Sequence, residues 1–192
     1  EPKIGVMINA AEILDNYSLS QKKIKSLFPS TTISSKLKLV RIACHYNEIE
    51  KILPICNFLK KKNLKVGINL MQISEISSHK IEAVTKILND YEVDVFYIAD
   101  SLGRLDNEKL IRTLDSIKLE WKNEIGIHAH DNMEKGLSNS ITAIENGVTW
   151  VDSTVSGMGR GPGNIKTEIA LVALSKYRDK KTQPYKTKMP QI

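Results

Sequence analysis

Apolar residues fall along this chain in short blocks separated by longer, mixed stretches. The blocks are KIGVMIN (3–9), LKLVRIA (37–43), KVGINLM (65–71), VDVFYIA (93–99), EIGIHAH (124–130) and TWVDSTV (149–155). Each is rich in β-branched residues and almost continuously apolar. That pattern predicts parallel strands covered on both faces, not strands with one wet side.

The intervening stretches carry apolar residues at helical spacing. SQKKIKSLF (20–28) is stopped by Pro29. NEIEKILPICNFLKKKN (47–63) places Ile49, Leu53, Cys56 and Leu59 near one face, with a kink expected at Pro54. SHKIEAVTKILNDYE (78–92) repeats Ile81, Val84 and Leu88. DNEKLIRTLDSIK (106–118) opens on the cap residue Asp106. EKGLSNSITAIENG (134–147) ends at Gly147, a natural position just past a helix. TEIALVALSKYR (167–178) closes the series. SLFPSTTISSKLK (26–38) reads as a polar loop and 179–192 as a basic tail, leaving 1–178 as one catalytic-type domain.

The order is therefore βα repeated six times, with strands starting 34, 28, 28, 31 and 25 residues apart. A (β/α)8 TIM barrel spends about 31 residues per unit. The rhythm predicts an α/β fold of that kind, partial, holding the third to eighth units. The chain opens without Met almost directly on a strand, so two further units are expected upstream. An open doubly wound sheet is the structural alternative, but no Gly-rich turn follows the first strand.

Composition adds limits. No apolar run approaches the roughly 20 residues of a membrane span, and EPKIGVMINA lacks the layout of a signal peptide. The net charge of +6 raises a nucleic-acid reading. The lysines, however, are scattered, without interleaved aromatics or a recognition motif, and read as solvated helix faces plus the tail. Cys44 and Cys56 form no CxxC and read as reduced thiols of a cytoplasmic protein.

Chemistry concentrates where strands end. In EIGIHAHDN, His128 and His130 are two residues apart, so on a strand both rings project to one face. They are either a chelating pair or two hydrogen-bonded polar residues. Asp131 and Glu134 have the spacing of a capping box. Other strand ends supply Asn9, His45, Asn69, Gln72, Asp100 and Ser101. Polar groups recurring at one end of successive strands are what a barrel active site needs. GMGRGPGN (157–164) matches neither a dinucleotide fingerprint nor a phosphate loop. It reads as a tight loop that could deliver the Asn164 amide oxygen, with Arg160 either holding an anionic group or standing in solvent.

Taken together, GIHAHDNMEKGLSNSITAIENGVTWVDSTVSGMGRGPGN, YIADSLG and VRIACHYNE resemble the late-barrel signature of the DRE-TIM metallolyases, the HMGL-like or pyruvate carboxyltransferase domain family. That family includes 4-hydroxy-2-oxovalerate aldolase, hydroxymethylglutaryl-CoA lyase and isopropylmalate synthase, and the aldolase branch fits GMGRGPGN best. The resemblance implies a divalent cation held by His128, His130 and Asn164, with Mn2+ expected first and Mg2+, Co2+ or Zn2+ as alternatives. It implies catalytic positions at Ser101, His45 and Asp100, and substrate contacts from Ser101 and Arg160. The implied reaction is cleavage or formation of a C–C bond of a 4-hydroxy-2-oxo acid through a pyruvate enolate. The implied partners are a small 2-oxo acid, an aldehyde, further copies of the chain and an aldehyde dehydrogenase, with no nucleic acid or membrane. A Claisen-type acyl transferase and a non-catalytic partial barrel are the alternatives. One departure stands out: the family's first-strand D-x-x-x-R-[DE]-like segment, which supplies an Asp ligand and an Arg, has no counterpart here.

Overall fold

In the computed structural model, which describes residues 3–16, 18–29 and 36–177, one parallel sheet carries the architecture. Its first strand, β1 (Ile4–Asn9), is followed by a short antiparallel pair outside the sheet, β2 (Leu14–Asp15) and β3 (Ser18–Leu19). The sheet continues with β4 (Leu37–Cys44), β5 (Lys65–Met71), β6 (Val95–Asp100), β7 (Glu124–Ala129) and β8 (Trp150–Val151). Strand order follows chain order, β1-β4-β5-β6-β7-β8. A doubly wound sheet reverses order partway, so this singly wound order is the barrel topology.

Helices follow the strands. They are α1 (Ala10–Ile13), α2 (Gln21–Leu27), α3 (Ile49–Ile52), α4 (Pro54–Lys60), α5 (Ser78–Leu88), α6 (Asn107–Glu120), α7 (Gly136–Glu145) and α8 (Thr167–Ala173). Pro54 does more than kink the 47–63 stretch: it stands at the start of α4 and divides the run in two. A proline lacks the N–H that a helix interior needs, so the first turn is where it fits. Asp106 caps α6 by accepting from the Lys109 N–H at 2.7 Å. Gly147 has φ +85°, the left-handed exit expected after α7. The basic tail and part of the 26–38 loop (residues 30–35) lie outside the described residues.

The main core lies between the outer sheet face and the helices, with Ile42, Ile68, Phe96, Ile98 and Ile127 meeting Leu59, Leu88, Leu110 and Leu114. Cys44 and Cys56 are buried free thiols. Burial pushes the Cys44 thiol far up and that of Cys56 to about 12, so both behave as small apolar groups.

The other sheet face is concave. Arg41 of β4 reaches Asp152, just beyond β8, at 2.7 Å. Four inter-strand steps would separate those strands by about 19 Å in a flat sheet, so the sheet curls back on itself. Tyr97 of β6 fills this concave side, and two glycines make room for it. A Cβ on Gly126 would lie 2.3 Å from the Tyr97 ring, and one on Gly67 3.1 Å from Arg41 Cγ and 3.3 Å from Tyr97.

The curl is open among the described residues. β1 and β8 each have one sheet neighbour. Ile4, Val6 and Met7 on β1, and Ile169, Leu171 and Val172 on α8, are exposed. Among the described residues no helix is long and apolar enough to cross a membrane.

Gly126→Ala is expected to destabilise the fold by about 1–3 kcal/mol through overpacking against Tyr97. A urea midpoint equal to wild type would contradict this account of the concave layer.

Candidate functional site

The C-terminal ends of the strands converge on a cavity of about 430 Å³. Met7 and Asn9 of β1, Ala43 of β4, Asn69 and Met71 of β5, Ala99 of β6 and His128 of β7 line it. His45, Gln72, Ser101, His130 and Arg160 form its rim. Strand pairing explains the convergence. Asn9 sits opposite Ala43, Ala43 opposite Asn69, Met71 opposite Ala99, and Ala99 opposite His128. A larger depression of about 700 Å³ lies at the other end of the strands, beside Lys118, Trp121 and Glu124, and holds none of the site candidates.

His128 and His130 point the same way, as their spacing requires. Their rings stand 5.2 Å apart at 81°. His128 Nδ1 is 2.8 Å from Asp152 Oδ2. A carboxylate only accepts, so Nδ1 is the donor of this hydrogen bond; in a neutral ring the Nε2 lone pair then faces away from Asp152. Burial opposes ionisation of Asp152, but the His128 hydrogen bond and the Arg41 guanidinium outweigh it and hold the carboxyl below its ordinary value. Burial, then the neighbouring His128 and Arg160, lower the pKa of His130. A neutral imidazole is the form that can bind a cation.

Asn164 belongs to the glycine loop and is not among the cavity-lining residues. Its backbone forms an antiparallel bridge with His130. Its Nδ2 donates to the Met158 carbonyl at 3.0 Å, while Oδ1 is buried without a hydrogen-bond partner. The loop is shaped around this amide. A Cβ on Gly159 would lie 2.3 Å from Asn164 Nδ2, and one on Gly163, at φ +90°, would lie 2.0 Å from the Gly157 carbonyl oxygen. A buried amide oxygen left unpaired costs about 1–3 kcal/mol. Two imidazoles and one oriented amide oxygen fit a divalent cation of the mixed N/O type. No group of three or more His, Cys, Asp or Glu side chains able to hold a metal occurs among the described residues, so no carboxylate ligand joins them.

The remaining candidates separate. The Ser101 hydroxyl accepts from the Gln72 N–H at 3.3 Å, leaving its own proton available to the cavity. Arg160 spans the mouth, with Nη2 donating to the Ser101 carbonyl at 3.2 Å. His45 is exposed at the rim, its backbone N–H held by Glu48 Oε2 at 2.8 Å. Asp100 is 1% exposed and is not a lining residue. Its carboxylate accepts from the N–H groups of Arg104 and Leu105, each at 3.0 Å, and so shapes the turn after β6.

The expected capping box at Asp131 and Glu134 does not form. Glu134 adopts φ +55° and α7 starts only at Gly136, whose N–H donates to Asp131 Oδ1 at 2.9 Å. Asp131 also ties the two site loops together, its N–H donating to the Gly163 carbonyl at 3.0 Å. The residues that spacing alone missed are Arg41 and Asp152. A charged residue inside the apolar run LKLVRIA was the available signal for the first, because arginine is rarely buried unpaired. Asp152 gave only the general signal of a polar strand end.

Asp100→Ala is expected to lose about 1–3 kcal/mol of folding stability by stripping two amides of their acceptor, whereas Ser101→Ala is expected to stay within about 0.5 kcal/mol. Equal urea midpoints for the two variants would contradict this division of roles.

Known proteins resemble this chain in sequence and fold. The chain is 32% identical over 139 residues to 4-hydroxy-2-oxovalerate aldolase of Bacillus thuringiensis (strain Al Hakam), covering 72% of this chain and 41% of that protein. It is 29% identical over 174 residues to 4-hydroxy-2-oxovalerate aldolase 4 of Rhodococcus opacus (strain B4), covering 90% and 50%. The chain thus spans about half the length of the curated relatives it matches. Among solved structures it superposes on the N-terminal domain of a protein assigned as an aldolase from Bacteroides vulgatus, with a TM-score of 0.78, 29% identity, and coverage of 91% of this chain and 56% of that one. HMG-CoA lyase from Bacillus subtilis shares the fold, with a TM-score of 0.73, 15% identity, and coverage of 90% and 62%. The sequence model of the HMGL-like family matches residues 8–191, and the chain belongs to that family.

Proposed function

We propose that this chain carries the late-barrel half of a divalent-metal-dependent aldolase site that cleaves or forms a C–C bond of a 4-hydroxy-2-oxo acid through a pyruvate enolate. The observation that carries this reading is the pairing of the His128 and His130 rings at the strand ends, beside a residue, Asn164, whose backbone bridges His130 and whose amide oxygen is unpartnered. The relatives named 4-hydroxy-2-oxovalerate aldolase support the substrate class.

His128, through Nε2, His130 and Asn164 would hold the cation. Bound there, a divalent cation supplies Lewis acidity toward the keto and carboxylate oxygens of a 2-oxo acid. Ser101 presents a hydroxyl to the substrate from beside Ala99. Arg160, at the mouth, offers its free guanidinium nitrogens to a carboxylate and closes the loop over the cavity. His45 stands at the rim as a group able to take or return the proton of the 4-hydroxyl. In the retro-aldol direction that proton leaves, the C3–C4 bond breaks, and an aldehyde and the enolate of pyruvate result.

The sheet edges, open among the described residues, support completion of the barrel by two further βα units laid between β8 and β1. Two units would cover Ile4, Val6 and Met7 on one side and the apolar face of α8 on the other. Manganese as the resident ion, homo-oligomerisation, hand-over of the aldehyde to a dehydrogenase and a cytoplasmic setting belong to this same reading. A non-catalytic partial barrel is the second reading.

The test is pyruvate release from 4-hydroxy-2-oxovalerate by the completed barrel, this chain together with the two units that finish it. Release is expected to stop on chelation, to return with Mn2+, and to fall about 100-fold or more in His128→Ala. Turnover indifferent to both chelator and substitution would refute the metal-dependent reading. A completed barrel that folds yet shows no turnover with any divalent ion would establish the non-catalytic one.

A further inference from the structure

The concave face beneath the histidines carries a line of polar contacts that metal binding and substrate contact leave unexplained. It starts at Asn69 on β5, whose Oδ1 accepts from Arg41 Nε at 2.9 Å. Arg41 Nη1 then lies 2.8 Å from Asp152 Oδ1 and 2.7 Å from Oδ2. Asp152 Oδ2 in turn accepts a hydrogen bond from His128 Nδ1 at 2.8 Å. The guanidinium carbon lies over Tyr97, 3.6 Å from the ring centroid. Gly67 and Gly126 keep the space free for guanidinium and ring.

This line is an expensive way to fill a barrel. The side chains of Arg41 and Asp152 are 13% and 23% exposed, and both charges are largely removed from water. An apolar layer of the same volume would serve stability as well or better, because desolvation offsets most of the attraction. What an apolar layer lacks is an acceptor for Nδ1. Without one, a neutral imidazole divides its proton between two nitrogens and turns about its Cβ–Cγ bond. With a fixed carboxylate behind it, the proton stays on Nδ1 and the Nε2 lone pair keeps one direction.

We propose that Asn69, Arg41 and Asp152 act as positioning residues for His128. Arg41, clamped by Asn69 and by the Tyr97 face, fixes the Asp152 carboxylate, and Asp152 fixes the tautomer and direction of the imidazole. The order of action is one-way. Arg41 and Asn69 reach His128 only through Asp152, so their effects on His128 must vanish once Asp152 is gone. The metal-affinity part of this inference rests on the cation reading above, whereas the tautomer part does not.

The experiment uses the full chain, with variants Asp152→Asn and Arg41→Met and the double variant, each checked for folding by circular dichroism. Long-range 1H–15N spectra at pH 8.5 without metal are expected to show wild-type His128 with its proton on Nδ1 alone, and a mixture of tautomers in Asp152→Asn. Mn2+ titrated by electron paramagnetic resonance is expected to bind about 10–100-fold more weakly to Asp152→Asn. It is expected to bind more weakly to Arg41→Met as well, with no further loss in the double variant. Wild-type His128 protonated on Nε2, or tautomer and affinity both unchanged in Asp152→Asn, would overturn the proposal. So would additive losses in the double variant. If wild type binds no Mn2+, the cation reading falls, and the wild-type tautomer spectrum still decides the positioning claim. The same spectrum decides it if the variants do not fold.

Discussion

The curl of a single parallel sheet is the constraint on which everything else in this molecule depends. Pairing between the parallel strands sets successive rows of side chains along the concave face: Asn9, Ala43 and Asn69 in one, Met71, Ala99 and His128 in the next. Both rows open on the same cavity. Only in a curled sheet can Arg41 touch Asp152 from four strands away. The curl in turn depends on small residues where large ones crowd the concave side, and Gly67 and Gly126 meet that need beside Tyr97.

Polar chemistry is layered on this frame at two depths. At the mouth stand groups with unspent capacity, the Ser101 hydroxyl and the free nitrogens of Arg160. Beneath them stands Asp152, whose oxygens are engaged by Arg41 and His128. Asp100 belongs with the second kind, because its two oxygens serve two backbone amides. The distinction is physical. A side chain whose acceptors are taken by the backbone holds shape, while one with an open lone pair or proton can meet a ligand.

The glycine loop illustrates the same economy of space. Gly159 and Gly163 allow the chain to wrap the Asn164 amide so closely that any side chain at either position would collide with it or with the loop's own backbone. The loop is then tied to the ends of the neighbouring strands by Asp131, after β7, and by Arg160, whose partner Ser101 follows β6. The amide oxygen is delivered by a backbone that has little freedom to withdraw it.

Strand rhythm, helix faces, the break at Pro54 and the shared direction of His128 and His130 were all legible in the sequence, because each follows from the local period of a strand or helix. Where local signals compete, the sequence alone did not decide. The spacing of Asp131 and Glu134 suits a capping box, yet the turn between β7 and α7 needs a left-handed residue at 134 and uses Asp131 for loop contacts. The contacts of Asp100, Arg41 and Asp152 were decided only by tertiary structure. His128 lies 24 residues from Asp152, and Arg41 lies 111 from it. A repeating pattern says which face a side chain takes. Which faces then meet depends on how far the sheet closes, and that is settled by the packing of all its strands together.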